Sequence, residues 1–255
     1  MTAMATGTTI SIPMEHGVVD AYVARPSAAG AMPPVLFFQD GLGLRPALFE
    51  MADRLASHGY HVLLPNMFWR AGAYEPFDAK TVFAGPGPEL DRLTKIVMSV
   101  TPENAMRDVA AFLDHLGAQP EVTDHARRVA CVGYCMGGGL AMLAACSFPD
   151  RIAAAASIHG GRFITAPEAP EMLAKQMRAR VYIGHSEIDR AHTPEVTRQL
   201  AAALAEAGVP HQIELYPGVA HGFAVPDLPP YNAEAAERHW ERVLALFRDA
   251  FAPAA

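Results

Sequence analysis

Between Gly133 and Gly137 stands one cysteine, in the order Gly133-Tyr134-Cys135-Met136-Gly137. A short apolar, β-prone run, Arg128 to Val132, leads into it, and a helix-compatible segment, Leu140 to Ser147, follows. Gly-x-Cys-x-Gly in that setting has the form of a nucleophile elbow, with cysteine where serine is usual. The spacing has a chemical reason: a nucleophile presented on a strained strand-to-helix turn needs small residues two before and two after it. At the start of the helix, free N–H groups and the positive end of the dipole favour a thiolate, and also the oxyanion formed when it attacks a carbonyl. A free cysteine is equally often a small buried hydrophobe, so the reading depends on partners elsewhere in the chain.

Those partners are a base and an orienting acid. His221 stands in Ala220-His221-Gly222-Phe223, immediately after the last apolar strand, Gln212 to Tyr216. There it would accept the thiol proton and later deliver it to the leaving group, while an acid orients the imidazole and stabilises its cation. Two carboxylates follow the strand Val181 to Gly184, namely Glu187 and Asp189. Two residues apart, only one readily faces His221. Asp189 is favoured because its shorter side chain holds an imidazole with less freedom; Glu187 would then be a solvated charge or a dipole partner of the helix starting near Thr193. Nucleophile, acid, histidine is the chain order of α/β-hydrolases.

The elements that must position these groups can be followed along the chain. Thr8 to Pro13 and Val18 to Ala24 read as two strands joined by a turn at Glu15-His16-Gly17, and Pro26 to Pro34 as a loop. Val35-Leu36-Phe37-Phe38 is a continuous apolar run of the kind buried in parallel sheets, ending in Gln39-Asp40-Gly41-Leu42-Gly43. Leu48, Met51 and Leu55 recur at helical spacing up to Gly59, and Val62 to Leu64 is the next strand. Residues 70 to 100, with Gly72, Pro76, Gly85, Pro86, Gly87 and Pro88 among several aromatics, read as an irregular segment covering a pocket. Thr101-Pro102-Glu103 opens a helix with one apolar face through Met106, Val109, Phe112, Leu113 and Leu116. Ile152 to Ile158 is a buried strand ending at His159-Gly160-Gly161, Thr193-Pro194-Glu195 caps a helix closed by Gly208, and a long helix spans about Asn232 to Phe251. The alternation predicts an α/β fold with a mostly parallel sheet and helices on both faces, and its candidate groups all follow the C-terminal ends of strands.

With 255 residues, of which 51% are hydrophobic and 18% charged, the chain suits one domain spanning 1–255, its core about 18–251. A net charge of −7 leaves no footprint for nucleic acid or an anionic membrane. Three cysteines, Cys131, Cys135 and Cys146, are an odd number without metal-type pairing, which suits a reducing compartment. Met1 to Thr9 lacks a signal-peptide pattern and no apolar run approaches a membrane span, so a soluble, cytoplasmic protein is expected, monomeric or a small homo-oligomer.

Gln39-Asp40-Gly41-Leu42-Gly43, the elbow Gly133 to Gly138, the stretch Gly184 to Glu195, and Tyr216-Pro217-Gly218 with Ala220-His221-Gly222-Phe223 make the chain resemble the dienelactone hydrolase family of the α/β-hydrolase fold. The resemblance runs from about Val18 to Phe251. It implies a Cys135, Asp189, His221 triad and oxyanion-hole amides from Gly41 and Met136. It also implies a thiol-modulating role for Asp40, since the family's glutamate there is thought to hold the thiol neutral until substrate displaces it. Two departures concern the substrate. Asp40 is one methylene shorter than that glutamate, and Val225 stands where the family's namesake has an arginine that helps hold the substrate carboxylate. The expected substrate pocket includes Arg70, Tyr74, Tyr134, Phe223 and Val225, with Arg70 or Arg92 as replacement cations.

The expected function is therefore a cysteine-dependent hydrolase of a small carboxylic ester or lactone, acting through an acyl-enzyme with no metal or organic cofactor. Two rivals are a thiol-based redox protein, which leaves the histidine and aspartate unexplained, and a non-catalytic ligand binder, which leaves the complete triad unexplained.

Overall fold

Apolar runs that must be buried on both faces need helices above and below them, and the chain supplies both. The computed structural model describes residues 5–27, 30–122, 128–161, 176–189 and 193–252. Its strands are β1 (Ala5–Met14), β2 (Gly17–Pro26), β3 (Pro34–Phe38), β4 (His61–Pro65), β5 (Val129–Tyr134), β6 (Ile152–Ile158), β7 (Arg180–Ile188) and β8 (His211–Ala220). They form one eight-stranded sheet in the order β1-β2-β4-β3-β5-β6-β7-β8. β2 runs antiparallel to β1 and β4, and every other neighbouring pair is parallel. After β3 the chain steps to one side to make β4, and from β5 onward it builds outward on the other side. The ends of β3 and β5 thus flank a topological switch point, where open α/β sheets leave a crevice.

The helices are α1 (Pro46–Ser57), α2 (Ala79–Phe83), α3 (Pro88–Ser99), α4 (Pro102–Gly117), α5 (Met136–Ser147), α6 (Pro194–Glu206) and α7 (Ala233–Phe251). Alternate strand residues sort into two cores, because side chains leave a strand on opposite faces. Val35 and Phe37 of β3 join Leu48, Met51 and Leu55 of α1 and Trp240, Val243 and Phe247 of α7 on one side. Leu36 and Phe38 join Val109, Phe112 and Leu113 of α4, Leu140 of α5 and Leu200 of α6 on the other. The N-termini follow the sequence: Thr101 Oγ1 accepts from the Asn104 N–H, Thr193 Oγ1 from Val196, and Asn232 Oδ1 from Ala235. No helix among the described residues is long and apolar enough to cross a membrane.

The segment 70–100 departs from expectation. It is not irregular throughout, for it contains α2 and the twelve residues of α3. The Gly-Pro cluster breaks the chain only as far as Gly87; Pro88 sits in the first turn, where its missing N–H costs nothing, and Glu89 and Asp91 suit the positive end of the dipole. Leu90, Leu93, Ile96 and Val97, partly buried, then pack the helix onto the core.

Candidate active site

Cys135 joins β5 to α5 with φ 54° and ψ −117°, a conformation that a side chain beyond glycine adopts only under constraint. The neighbours impose it. A Cβ at Gly133 would lie 1.9 Å from the carbonyl oxygen of Gly137, and one at Gly137 would lie 2.4 Å from that of Gln39. Both positions therefore exclude every residue but glycine. The second contact also shows that the end of β3 packs directly on the first turn of α5. As the first residue of α5, Met136 has an N–H without a partner one turn earlier. The cysteine is half-buried, whereas Cys131 is fully buried on β5, where burial pushes its thiol pKa far up.

Asp189 and His221 follow β7 and β8, which lie beyond β6 in the sheet. Ile188 at the end of β7 pairs with Ala220 at the end of β8, and the His221 N–H donates to the Ile188 carbonyl at 3.3 Å. Asp189 and His221 are the residues that follow this pairing, and His221 Nδ1 lies 2.7 Å from Asp189 Oδ2. Ser186 Oγ adds a donor to the same carboxylate oxygen at 3.4 Å. Glu187 turns away and accepts the Gly218 N–H at 2.7 Å, fastening the end of β8 before the histidine. Burial alone would depress the His221 pKa. The Cys135 sulfur beside it and the Asp189 hydrogen bond outweigh that effect and hold the imidazole protonated well above the ordinary histidine range.

Cys135, His221 and Asp189 thus stand together at the ends of β5, β8 and β7. The family model described as the dienelactone hydrolase family matches residues 19–251. The chain belongs to the dienelactone hydrolase family. A relative in Salmonella typhi, named "Putative carboxymethylenebutenolidase", is 29% identical over 251 residues, covering 96% of this chain and 87% of that protein. A Synechocystis protein of the same name is 28% identical over 254 residues, covering 97% and 98%. A crystal structure of a "Putative Dienelactone Hydrolase" from Klebsiella pneumoniae superposes with a TM-score of 0.80 at 25% identity, covering 95% of this chain and 98% of that one. The fold is the α/β-hydrolase fold.

Within this dienelactone hydrolase family member, several expected pocket residues lie elsewhere. Tyr134, Phe223 and Val225 are fully buried in the core beneath the sheet rather than in a pocket. Tyr134 immediately precedes the nucleophile, so its side chain leaves β5 on the opposite face, where its hydroxyl meets Nε2 of His239 on α7 at 2.9 Å. Phe223 stacks on Tyr216 with centroids 4.7 Å apart. Arg70 pairs with buried Asp108 and lies 4.1 Å over Trp69, and Arg92 pairs with Glu89 and lies 4.0 Å over Phe77. Of the expected residues, Tyr74 does line a cavity, one of about 570 Å³ shared with Leu42, Arg45, Asn66, Trp69 and Phe77, beside the Gly41 loop.

Sequence reading missed Arg45. Its guanidinium reaches Asp40 through two bonds of 2.7 Å and Asp227 through bonds of 2.6 and 2.9 Å. Asp40, buried, also accepts the Leu42 N–H at 2.9 Å. The carboxylate expected to modulate the thiol is thus directed at an arginine and at its own turn. The only signal was the spacing of five residues, and the loop that closes it is not readable from type alone.

Proposed function

We propose that this protein hydrolyses a small carboxylic ester or lactone through a thioester acyl-enzyme on Cys135. The observation that carries the reading is the 2.7 Å contact of His221 with Asp189, on strand ends adjoining a strained cysteine at a helix N-terminus. In the first half-reaction the thiol proton rests on His221 as an imidazolium, and Sγ attacks the carbonyl carbon as the thiolate. The amides of Gly41 and Met136 stabilise the tetrahedral oxyanion. Collapse expels the alkoxide, which receives the proton from His221; in a lactone it stays tethered to the acyl group. Water then gives a proton to His221 and its oxygen attacks the thioester, and the second intermediate releases the acid and the sulfur. Asp189 holds the imidazole in the tautomer with Nδ1–H and stabilises its cation throughout.

Carboxymethylenebutenolidase, the name borne by the relatives, denotes action on a lactone that carries a carboxylate arm. Here Val225 is buried, Arg70 and Arg92 are paired, and Arg45 lies between two carboxylates, so none of these three guanidinium groups is left to grip such an arm. A neutral ester or lactone is the substrate class this arrangement supports. In the same reading Asp40, rather than gating the thiol, anchors the loop that presents Gly41. The chain works as one soluble cytoplasmic domain, without metal or organic cofactor. A panel of p-nitrophenyl esters and small lactones, run with and without thiol alkylation, tests the proposal. Turnover that survives reductant and vanishes on alkylation is expected; turnover indifferent to alkylation would refute the cysteine mechanism.

A further inference from the structure

Between the strand that leads to Cys135 and the strand that leads to Asp189 lies β6, and the residue that follows it is His159. Only two described residues other than glycine have positive φ, Cys135 at 54° and His159 at 38°, and they are hydrogen-bonded to each other. The Cys135 N–H donates to His159 Nδ1 at 3.2 Å and shares itself with the Ile158 carbonyl at 3.1 Å. An accepting Nδ1 belongs to a neutral ring protonated at Nε2. On its other side the His159 N–H donates to the Gly184 carbonyl of β7 at 2.7 Å. The fully buried ring stands 4.9 Å from that of His221 and edge-on to Phe223 at 5.6 Å. A residue whose purpose was only to fill this space would not need a nitrogen facing the nucleophile's amide, nor a strained backbone to put it there.

We infer that His159 is a positioning residue for the nucleophile: its Nδ1 holds the backbone of Cys135 in the elbow conformation while its ring walls the imidazole of His221. This rests on the cysteine-hydrolase reading above. The inference goes beyond the triad because it assigns a role to a histidine that touches neither substrate nor reacting atoms, and it predicts which atom matters. Asparagine places its carbonyl oxygen at the Nδ1 position and tolerates positive φ, whereas glutamine places its own one bond further out and phenylalanine keeps the ring without an acceptor.

The test measures kcat, KM and the rate of Cys135 alkylation by iodoacetamide in His159→Asn, His159→Gln and His159→Phe, with thermal unfolding to show that each folds. Expected is a kcat lowered about tenfold or more in the Gln and Phe variants, the kinetic equivalent of one hydrogen bond, with KM unchanged. Asn should retain kcat to within about threefold, and alkylation should follow the same order. A Phe variant as active as the wild type, or an Asn variant as impaired as Phe, would overturn the inference; Gln carries the comparison if Phe does not fold. Full turnover in Cys135→Ala would instead sink the nucleophile reading beneath it, so the two failures are distinguishable.

Discussion

Asp189 Oδ2 lies 2.7 Å from His221 Nδ1, whereas Glu187, two residues earlier, is spent on the Gly218 amide. The two carboxylates therefore have separable effects. Asp189→Asn should lower kcat by about 10⁴, because an amide can fix the wrong tautomer and cannot stabilise the imidazolium. Glu187→Gln should leave kcat within a few-fold and loosen only the end of β8. Steady-state kinetics on one ester decides it, and reversed effects would move the acid to Glu187.

The same contact sets a titration. Asp189 and the Cys135 sulfur raise the His221 pKa above its unfolded value near 6.5. The associated stabilisation is fully present below that unfolded value and is lost as pH rises through the folded one. NMR titration of the His221 ring should give a midpoint above 6.5 in the wild type, moving down in both Cys135→Ala and Asp189→Asn. A midpoint insensitive to either substitution would contradict the triad.

His239 behaves oppositely. Burial lowers its pKa to about 3, so the fold holds it neutral against Tyr134. Below about pH 6.5 the unfolded chain takes up a proton that the fold refuses, and stability falls by up to ~1.4 kcal/mol per pH unit down to about pH 3. Denaturant melts across pH 4 to 7 should show a shallower acid loss in His239→Phe than in the wild type, even though the variant starts lower at neutral pH because the Tyr134 hydroxyl loses its partner.

Asp40 and Arg45 form a largely buried pair, and without Asp40 the guanidinium keeps only its bonds to Asp227. Asp40→Asn should cost about 1.5–3 kcal/mol in stability, the range for hydrogen bonds to a charged group, and leave the iodoacetamide rate of Cys135 unchanged. Faster alkylation with little loss of stability would restore the thiol-modulating role that the family resemblance implies.

What the sequence disclosed, and what it hid, follows from the kind of constraint involved. The elbow was legible because hard backbone contacts at Gly133 and Gly137 leave one residue type possible. The strands β3 to β7 were legible because parallel strands buried on both faces need uninterrupted apolar runs. The helix at Pro88–Ser99 was obscured because proline reads as a breaker unless it is known to stand in a first turn. Tyr134, Phe223 and Val225 were misplaced because closeness in sequence to Cys135 or His221 does not say which face of the sheet a side chain leaves by. Arg45 and His159 carried no motif; their roles depend on which strand ends the topology sets side by side.

The central claim is a thioester on Cys135, and acid-quenched mass spectrometry of the enzyme during turnover of a slow p-nitrophenyl ester tests it most directly. The account predicts a peptide containing Cys135 heavier by the acyl group, discharged by hydroxylamine and absent in Cys135→Ala. An acyl group mapped to another residue, or steady turnover with no acylated Cys135 peptide and full activity in Cys135→Ala, would contradict it.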